Sequence, residues 1–257
     1  MNVVLIAFVA FFSSITTFYS GFGLGTMLTP FFCIFFPVQE AIALTALVHF
    51  INNLFKFGLL KNHINFKIAV PFAFTAVVAS YFGAELLNLF VQQHLVFTYQ
   101  IGNFFAVITP LKILIALLML VFVIVEQVPQ WSFQVKGTQT FMLGGLISGF
   151  FGGLSGNQGA LRSMFLLKAK LLKEEYLATG VFIACMVDVS RLSVYYNDWL
   201  GGALNNKGSL MIVAVASALS GSMLGKKFIQ KVTMKAIQTL IVVLLSLIAI
   251  LLGLGII

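Results

Sequence analysis

Apolar residues fill this chain in long runs, and polar positions collect at the ends of those runs or in short glycine-rich breaks. The runs are approximately 2–20, 24–36, 38–60, 67–90, 110–126, 138–154, 159–168, 174–196, 208–229 and 235–256. A bilayer core of about 30 Å needs about 20 helical residues, so most of these runs predict membrane-crossing helices. Two do not. At about 1.5 Å per residue, 24–36 and 159–168 reach only about 20 and about 15 Å. Each follows directly on a break, SGFGLG at 20–25 and SGNQG at 155–159. Residues 1–20 lack a basic leader and a small-residue cleavage site, so they read as the first membrane segment and not as a cleaved signal.

An offset of 134–135 residues places Ser20-Gly21 on Ser155-Gly156, Glu40 on Glu174, Thr45 on Thr179, Asn53 on Asp188 and Lys56 on Arg191. Polar residues are rare here, so these coincidences predict an internal duplication: one repeat over 1–126, a linker over 127–137 and a second repeat over 138–257. Loop charge then orients the halves. Suppose each short segment returns to the side its predecessor came from. Lys56, Lys61, Lys67, Lys136, Lys168, Lys170, Lys173, Lys226, Lys227, Lys231 and Lys235 then share one side, and only Lys112 and Lys207 fall on the other. A single crossing by 138–168 would put the basic loops of the two halves on opposite faces. The positive-inside rule favours the hairpin arrangement, with a cytoplasmic linker, both termini outside and the halves antiparallel.

The predicted fold is an all-α polytopic membrane protein of two inverted-topology repeats. Each repeat is a Gly-broken re-entrant or short helix pair followed by three transmembrane helices. Interrupted short segments at matching positions of inverted repeats are the sequence signature of secondary transporters. The reason is physical: irregular backbone at membrane depth persists only where protein or a water-filled cavity satisfies its N–H and C=O groups.

Composition sharpens this picture. Sixty per cent of residues are apolar, 9% are charged and the mean hydropathy is +1.07, whereas soluble domains carry about 25% charge. The connections read as short, leaving no soluble domain. A net charge of +8 in such a chain points to loops facing anionic lipid, not to nucleic acid. Cys33 and Cys185 lie in apolar segments without C-x-x-C spacing, which predicts buried thiols and neither a disulfide nor a metal site. No Ser/His/Asp set, metalloprotease helix or phosphate loop is present, so neither an enzyme nor a cofactor is predicted. No nucleotide-binding module is present either, which excludes ATP drive by this chain alone.

The polar residues inside the apolar runs are the candidate chemistry. If 159–168 is a half-helix, its free N–H groups and dipole converge on Ser155, Gly156, Asn157, Gln158 and Gly159, which is an anion-binding arrangement. Arg162 adds a permanent charge and a planar fork suited to a carboxylate or sulfonate. Its alternative role is to snorkel toward the surface marked by Lys168. Gly21, Gly23 and Gly25 form the uncharged counterpart, read either as part of a shared pocket or as a close-packing face, and Pro30 adds a kink to the short helix. On 38–60, His49, Asn52, Asn53 and Lys56 share one helical face. Such a stripe faces the bundle interior or a water path. Asp188 and Arg191, with Tyr195, repeat the spacing, as a structural ion pair or as part of the transport path. His49 reads either as a proton relay or as a hydrogen-bonded contact between helices. Glu40, Glu85, Glu126, Glu174 and Glu175 lie near segment ends, as interfacial caps.

These residues carry a resemblance. GFGLGTMLTP, with Gly21, Gly23, Gly25 and Pro30, is followed by EAIALTA at 40–46; GGLSGNQGALR at 152–162 is followed by EEYLATG at 174–180. Over essentially its whole length the chain resembles the TauE/SafE (sulfite exporter, TSUP) family of membrane permeases. The resemblance implies transport, often outward, of small sulfur-containing or organic anions across a bacterial cytoplasmic membrane. The family pattern has a GxGGG run and a proline in both halves. Asn157 and Gln158 replace glycines in the second half here, and no proline follows, which implies selection of a particular oxyanion.

The expected function is therefore secondary transport of a small anion by alternating access. Arg162 and the 155–159 break would bind it; His49, Asn52, Asn53, Lys56, Asp188 and Arg191 would line or gate the path; protons are a candidate coupling ion. An anion-selective channel is the main alternative, and a non-catalytic membrane assembly protein a weaker one. The expected partners are the anion and the lipid bilayer. The sequence sets no oligomeric state.

Overall fold

The computed structural model describes residues 3–20, 23–93, 95–102, 104–127, 137–228 and 234–257. Among the described residues the apolar runs fold as ten α-helices: α1 (Val3–Ser20), α2 (Leu24–Cys33), α3 (Val38–Leu60), α4 (Phe66–Val91), α5 (Pro110–Gln127), α6 (Thr138–Ser155), α7 (Gly159–Leu167), α8 (Lys173–Tyr195), α9 (Gly201–Phe228) and α10 (Met234–Gly253). Among the described residues four helical stretches are long and apolar enough to cross a membrane: Val38–His63, Phe66–Val91, Lys173–Tyr195 and Lys207–Gly225. Four more, Val3–Thr17, Leu24–Cys33, Pro110–Val125 and Val242–Gly253, are apolar but shorter. The protein is all-α and polytopic. Exposed Val70, Phe74, Val78, Phe82, Leu117 and Val121 give α4 and α5 the apolar outer faces that lipid requires.

The two breaks have identifiable stops. Gly156 takes up the left-handed conformation (φ 80°) after the last residue of α6, and its N–H closes on the Gly152 carbonyl at 3.1 Å. Glycine adopts that conformation without steric cost, which is why it ends helices. Gly23, in extended conformation, starts α2; that helix stops three residues after Pro30.

α6 then turns back as α7. Gly144 of α6 lies against the ring of Phe165 in α7, and both meet Phe72 of α4. The pair 138–167 therefore enters and leaves at one end of the bundle, the end at which α3 finishes before Lys61 and α8 begins at Lys173. Three glycines spaced by four, Gly145, Gly149 and Gly153, explain the tight seat of α6 on α4. A Cβ on any of them would run into the α4 backbone at Phe72, Ala76 and Ser80, also spaced by four. Small residues at helical spacing allow this backbone approach in membranes.

Helix pairing follows a regular scheme. α6 packs on α4 and α1 on α9; α3 packs on α8 and α5 on α10; α2 touches α10 and α7 touches α5. Adding five to each label of one half, and subtracting five in the other, exchanges α4–α6 with α1–α9 and α2–α10 with α5–α7, and returns α3–α8 and α5–α10 to themselves. At the α1–α9 contact, Ser14 Oγ meets Ser222 Oγ at 2.7 Å, and Gly221 admits the Phe11 carbonyl. Leu28, Phe32, Ile42, Leu44 and Ile115 are fully buried at the centre.

Three details differ from the sequence reading. The connections are not all short: Phe97–Ile101 and Phe104–Ile108 pair as an antiparallel hairpin, β1 and β2, with Phe97 opposite Ile108. It caps the end of α10, through Val107 N–H to the Gly255 carbonyl (3.0 Å) and the Tyr99 hydroxyl to the Leu254 carbonyl (2.6 Å). The helix predicted to begin at 208 runs back to Gly201, joined to α8 by a π-helical turn over Tyr196–Leu200. Lys56, grouped above with the loop lysines, is 6% exposed inside the bundle. Residues 128–136 of the expected linker lie outside the described residues.

Candidate functional site

The two short helices begin at the same place. A Cβ on Gly23 would come 3.8 Å from the Gly159 Cα, and one on Gly25 would come 2.9 Å from the Gly156 carbonyl oxygen. Glycine is required at Gly25, where backbone meets backbone, while at Gly23 the Gly159 backbone lies at ordinary contact distance. The positive ends of two helix dipoles, with their unpaired N–H groups, thus converge inside the bundle.

Beside this crossing, toward the end marked by Lys61 and Lys173, lies a small cavity. The centre of a water molecule has about 40 Å³ available there. Its walls include Gly23, Leu24, His49, Asn53, Lys56, Arg162, Ser163, Tyr176 and Gly180. Lys56, Arg162 and His49 supply its basic groups, and among the described residues no carboxylate lines it. A desolvated pocket with cationic walls favours an anion, since burial strengthens the Coulomb attraction and leaves a cation no compensating partner.

Arg162 does not snorkel. It is 6% exposed, lines the cavity from α7, and donates from Nη1 to Gln158 Oε1 at 3.5 Å. Lys56 points in from α3. With its carboxamide assigned by its neighbours, Asn52 accepts from Lys56 Nζ at 3.3 Å and donates to Ser222 Oγ at 2.7 Å and the Ala218 carbonyl at 3.3 Å. Asn52 itself is not a lining residue; it fixes the lysine and joins α3 to α9. Tyr176, from the first turns of α8, donates to Ser163 Oγ at 2.9 Å and so holds a second cavity wall.

Behind the cavity, fully buried Asp188 organises the remaining polar residues. Its Oδ2 lies 2.6 Å from His49 Nδ1. Its Oδ1 accepts from Arg191 Nε (3.0 Å), Arg191 Nη2 (2.7 Å) and Gln158 Nε2 (3.1 Å). With Nδ1–H donating to Asp188, His49 Nε2 is left to accept from Asn53 Nδ2 at 3.2 Å. Gly23 leaves room for this ring, since a Cβ there would sit 3.1 Å from Nε2. Arg191 Nη1 donates to the Gly152 carbonyl (3.3 Å) and the Tyr195 hydroxyl to the Gly153 carbonyl. One carboxylate therefore ties α3 and α8 to the break between α6 and α7.

The structure brings together Gly23, His49, Asn53, Lys56 and Arg162 at one cavity. Gln158, Asp188 and Arg191 form the layer behind it. Gly25, Gly156 and Gly159 build the crossing. Ser155 hydroxyl donates back to the Phe151 carbonyl (3.0 Å), and Asn157 stands outside the cavity lining. Gly21 lies outside the described residues. Sequence reasoning missed Ser163, Tyr176 and Gly180; the EEYLATG stretch, already noted as a repeat element, contained two of them. The two lysines on the opposite end are engaged: Lys207 pairs with Glu40 and stacks on Phe36 (4.7 Å to the ring centre), and Lys112 Nζ donates to the Val107 carbonyl at 2.8 Å.

Comparison with curated proteins and with solved structures gives no match. A family model does match: "Sulfite exporter TauE/SafE", over residues 6–252. That span takes in α2 to α9, all of α1 and α10 but their outermost residues, and the whole cavity, and the chain belongs to the TauE/SafE sulfite exporter family of multi-pass membrane permeases for sulfite-type anions.

Proposed function

We propose that this protein is a secondary transporter that exports a small oxyanion, sulfite or an organic sulfonate, across a bacterial cytoplasmic membrane. The observation that carries this reading is the cavity at the crossing of two half-helices, walled by Arg162, Lys56 and His49 with no carboxylate in its lining among the described residues. Arg162 binds the anion, beside the start of α2 at Gly23 and Leu24. Lys56, Asn53 and His49 complete the wall, while Gln158, Asp188 and Arg191 hold Arg162 and His49 in place.

We infer that residues 1–126 and 138–257 are inverted repeats, with 127–137 as a cytoplasmic linker. The exchange symmetry of the helix pairing and the fold-back of α6 on α7 support this. The basic end is then cytoplasmic by the positive-inside rule, and the cavity faces that side. The near-contact of Gly25 with the Gly156 carbonyl lies between the cavity and the other end. A closed crossing with a one-sided cavity favours a carrier that exposes its site alternately over an open channel. Protons are the coupling ion this reading favours, through the His49–Asp188 contact.

Counterflow in proteoliposomes tests the reading. Vesicles loaded with unlabelled sulfite should transiently accumulate labelled sulfite above equilibrium. Non-saturating flux without counterflow would make the protein a channel. No sulfite- or sulfonate-dependent flux and no stabilisation by any such anion would end the transport reading. A rate indifferent to an imposed pH gradient would remove protons from the scheme.

A further inference from the structure

Five buried side-chain polar atoms among the described residues have no hydrogen-bond partner in the protein, and four of them belong to Thr29, Thr45 and Asn157. These residues are 0%, 0% and 1% exposed. Buried polar atoms are nearly always paired, so such a concentration in one place calls for a function. None of the three lines the cavity.

Their surroundings define a second site. At Gly156 a Cβ would come 3.3 Å from Thr29 Oγ1 and 3.2 Å from Arg191 Nη1. A Cβ on Gly25 would lie 2.9 Å from the Gly156 oxygen and 3.8 Å from the Thr45 methyl. Thr29 and Arg191 thus meet at Gly156, Thr45 stands beside Gly25 on the other side of that contact, and Asn157 is the next residue. The cluster lies across the crossing from the cavity. Along α3, Thr45 precedes His49 by a turn, away from Lys61; along α8, Arg191 is about three turns beyond Gly180.

The internal offset relates the two sites. Adding 134 carries Thr29 to Ser163, Gly23 to Asn157 and Thr45 to Thr179, the neighbour of Gly180; subtracting 135 carries Arg191 to Lys56. Ser163, Gly23, Gly180 and Lys56 all line the cavity.

We propose that Thr29, Thr45, Asn157 and Arg191 form a second oxyanion station, the symmetry image of the cavity, through which the anion leaves toward the opposite side of the membrane. The proposal rests on the cavity being an anion site and on the repeats being inverted. Hydroxyl, amide and guanidinium N–H groups are all donors, matched to the oxygens of sulfite or a sulfonate. The second station holds its ligand more weakly. Leu28 stands where the offset would place the counterpart of Arg162, and Arg191 is already engaged by Asp188 through Nε and Nη2. A strong site toward the cytoplasm followed by a weaker one outward suits release from the far face.

The test uses Thr29→Val, Thr45→Val and the double variant, with sulfite as the probe. Valine keeps the shape and removes only hydroxyls that lack protein partners, so the fold tolerates it. Sulfite affinity of the purified full chain, read by calorimetry, should stay within about twofold of the parent, while sulfite counterflow in proteoliposomes falls about tenfold or more in the double variant. The single variants should each show a severalfold loss. Counterflow equal to the parent in all three would overturn the proposal, and so would an affinity loss that parallels the flux loss, which would assign the hydroxyls to the first site. Arg162→Gln serves as the separate control: undiminished sulfite affinity in that variant sinks the cavity assignment itself, whatever the threonine variants do.

Discussion

Asp188→Asn is the most informative single change in the buried network. The carboxylate makes four polar contacts, two of them to the Arg191 guanidinium, and both it and Arg191 are 0% exposed. An Asn in the same place keeps one accepting oxygen and turns an NH2 toward groups that are themselves donors. Removing one partner of a buried ion pair costs about 3–5 kcal/mol, because the other charge is left uncompensated. At about 1.4 kcal/mol per tenfold, the unfolding equilibrium should shift on the order of a hundred- to a few-thousandfold. Reversible unfolding in mixed micelles reads this directly. A second variant separates charge from shape: Asp188→Leu with Arg191→Met removes both charges and should recover most of the lost stability. Flux should not recover with it, since Gln158 and His49 lose the group that positions them. A shift of less than about threefold for Asp188→Asn would refute the claim that this carboxylate holds the break to α3 and α8.

Other outcomes follow from the packing and the site. Gly149→Val puts a side chain where even a Cβ would lie 2.6 Å from the Ala76 Cα, and overpacking of this kind costs about 1–3 kcal/mol; its melting temperature should fall clearly below that of Gly208→Ala, where nothing lies within 4 Å. Lys56→Met should weaken sulfite binding about tenfold by calorimetry, in keeping with the loss of one charged hydrogen-bond donor, and leave thermal stability near the parent's. In a background lacking Cys33 and Cys185, single cysteines at Asn62 and Lys170 should both be labelled from the cytoplasm and one at Asn205 from outside; labelling of 62 and 170 from opposite faces would contradict the hairpin topology.

Much of this architecture was legible because membrane helices are written in hydropathy and length. The short segments 24–36 and 159–168 emerge as α2 and α7 directly after the glycine breaks. His49, Asn53 and Lys56 were recognisable as one stripe because helical spacing fixes a face without any tertiary information. What that spacing could not say is which neighbour the face meets. Arg162 had two opposite readings from sequence, and only the turn of α7 back beside α8 decides between them. The glycines of α6 were ambiguous for the same reason: Gly145, Gly149 and Gly153 serve the seat on α4, while Gly156 alone makes the stop. The β-hairpin had a local signal, two β-branched and aromatic runs around Ile101-Gly102-Asn103. The surrounding hydropathy concealed it.

The central claim is that Arg162 binds the transported anion, and sulfite counterflow by Arg162→Gln and Arg162→Lys at matched abundance in proteoliposomes tests it most directly. A charge-assisted hydrogen bond contributes about 1.5–3 kcal/mol, so Gln should lower flux at subsaturating sulfite by about tenfold to a hundredfold, with Lys between it and the parent. Flux by Arg162→Gln equal to that of the parent would contradict the account.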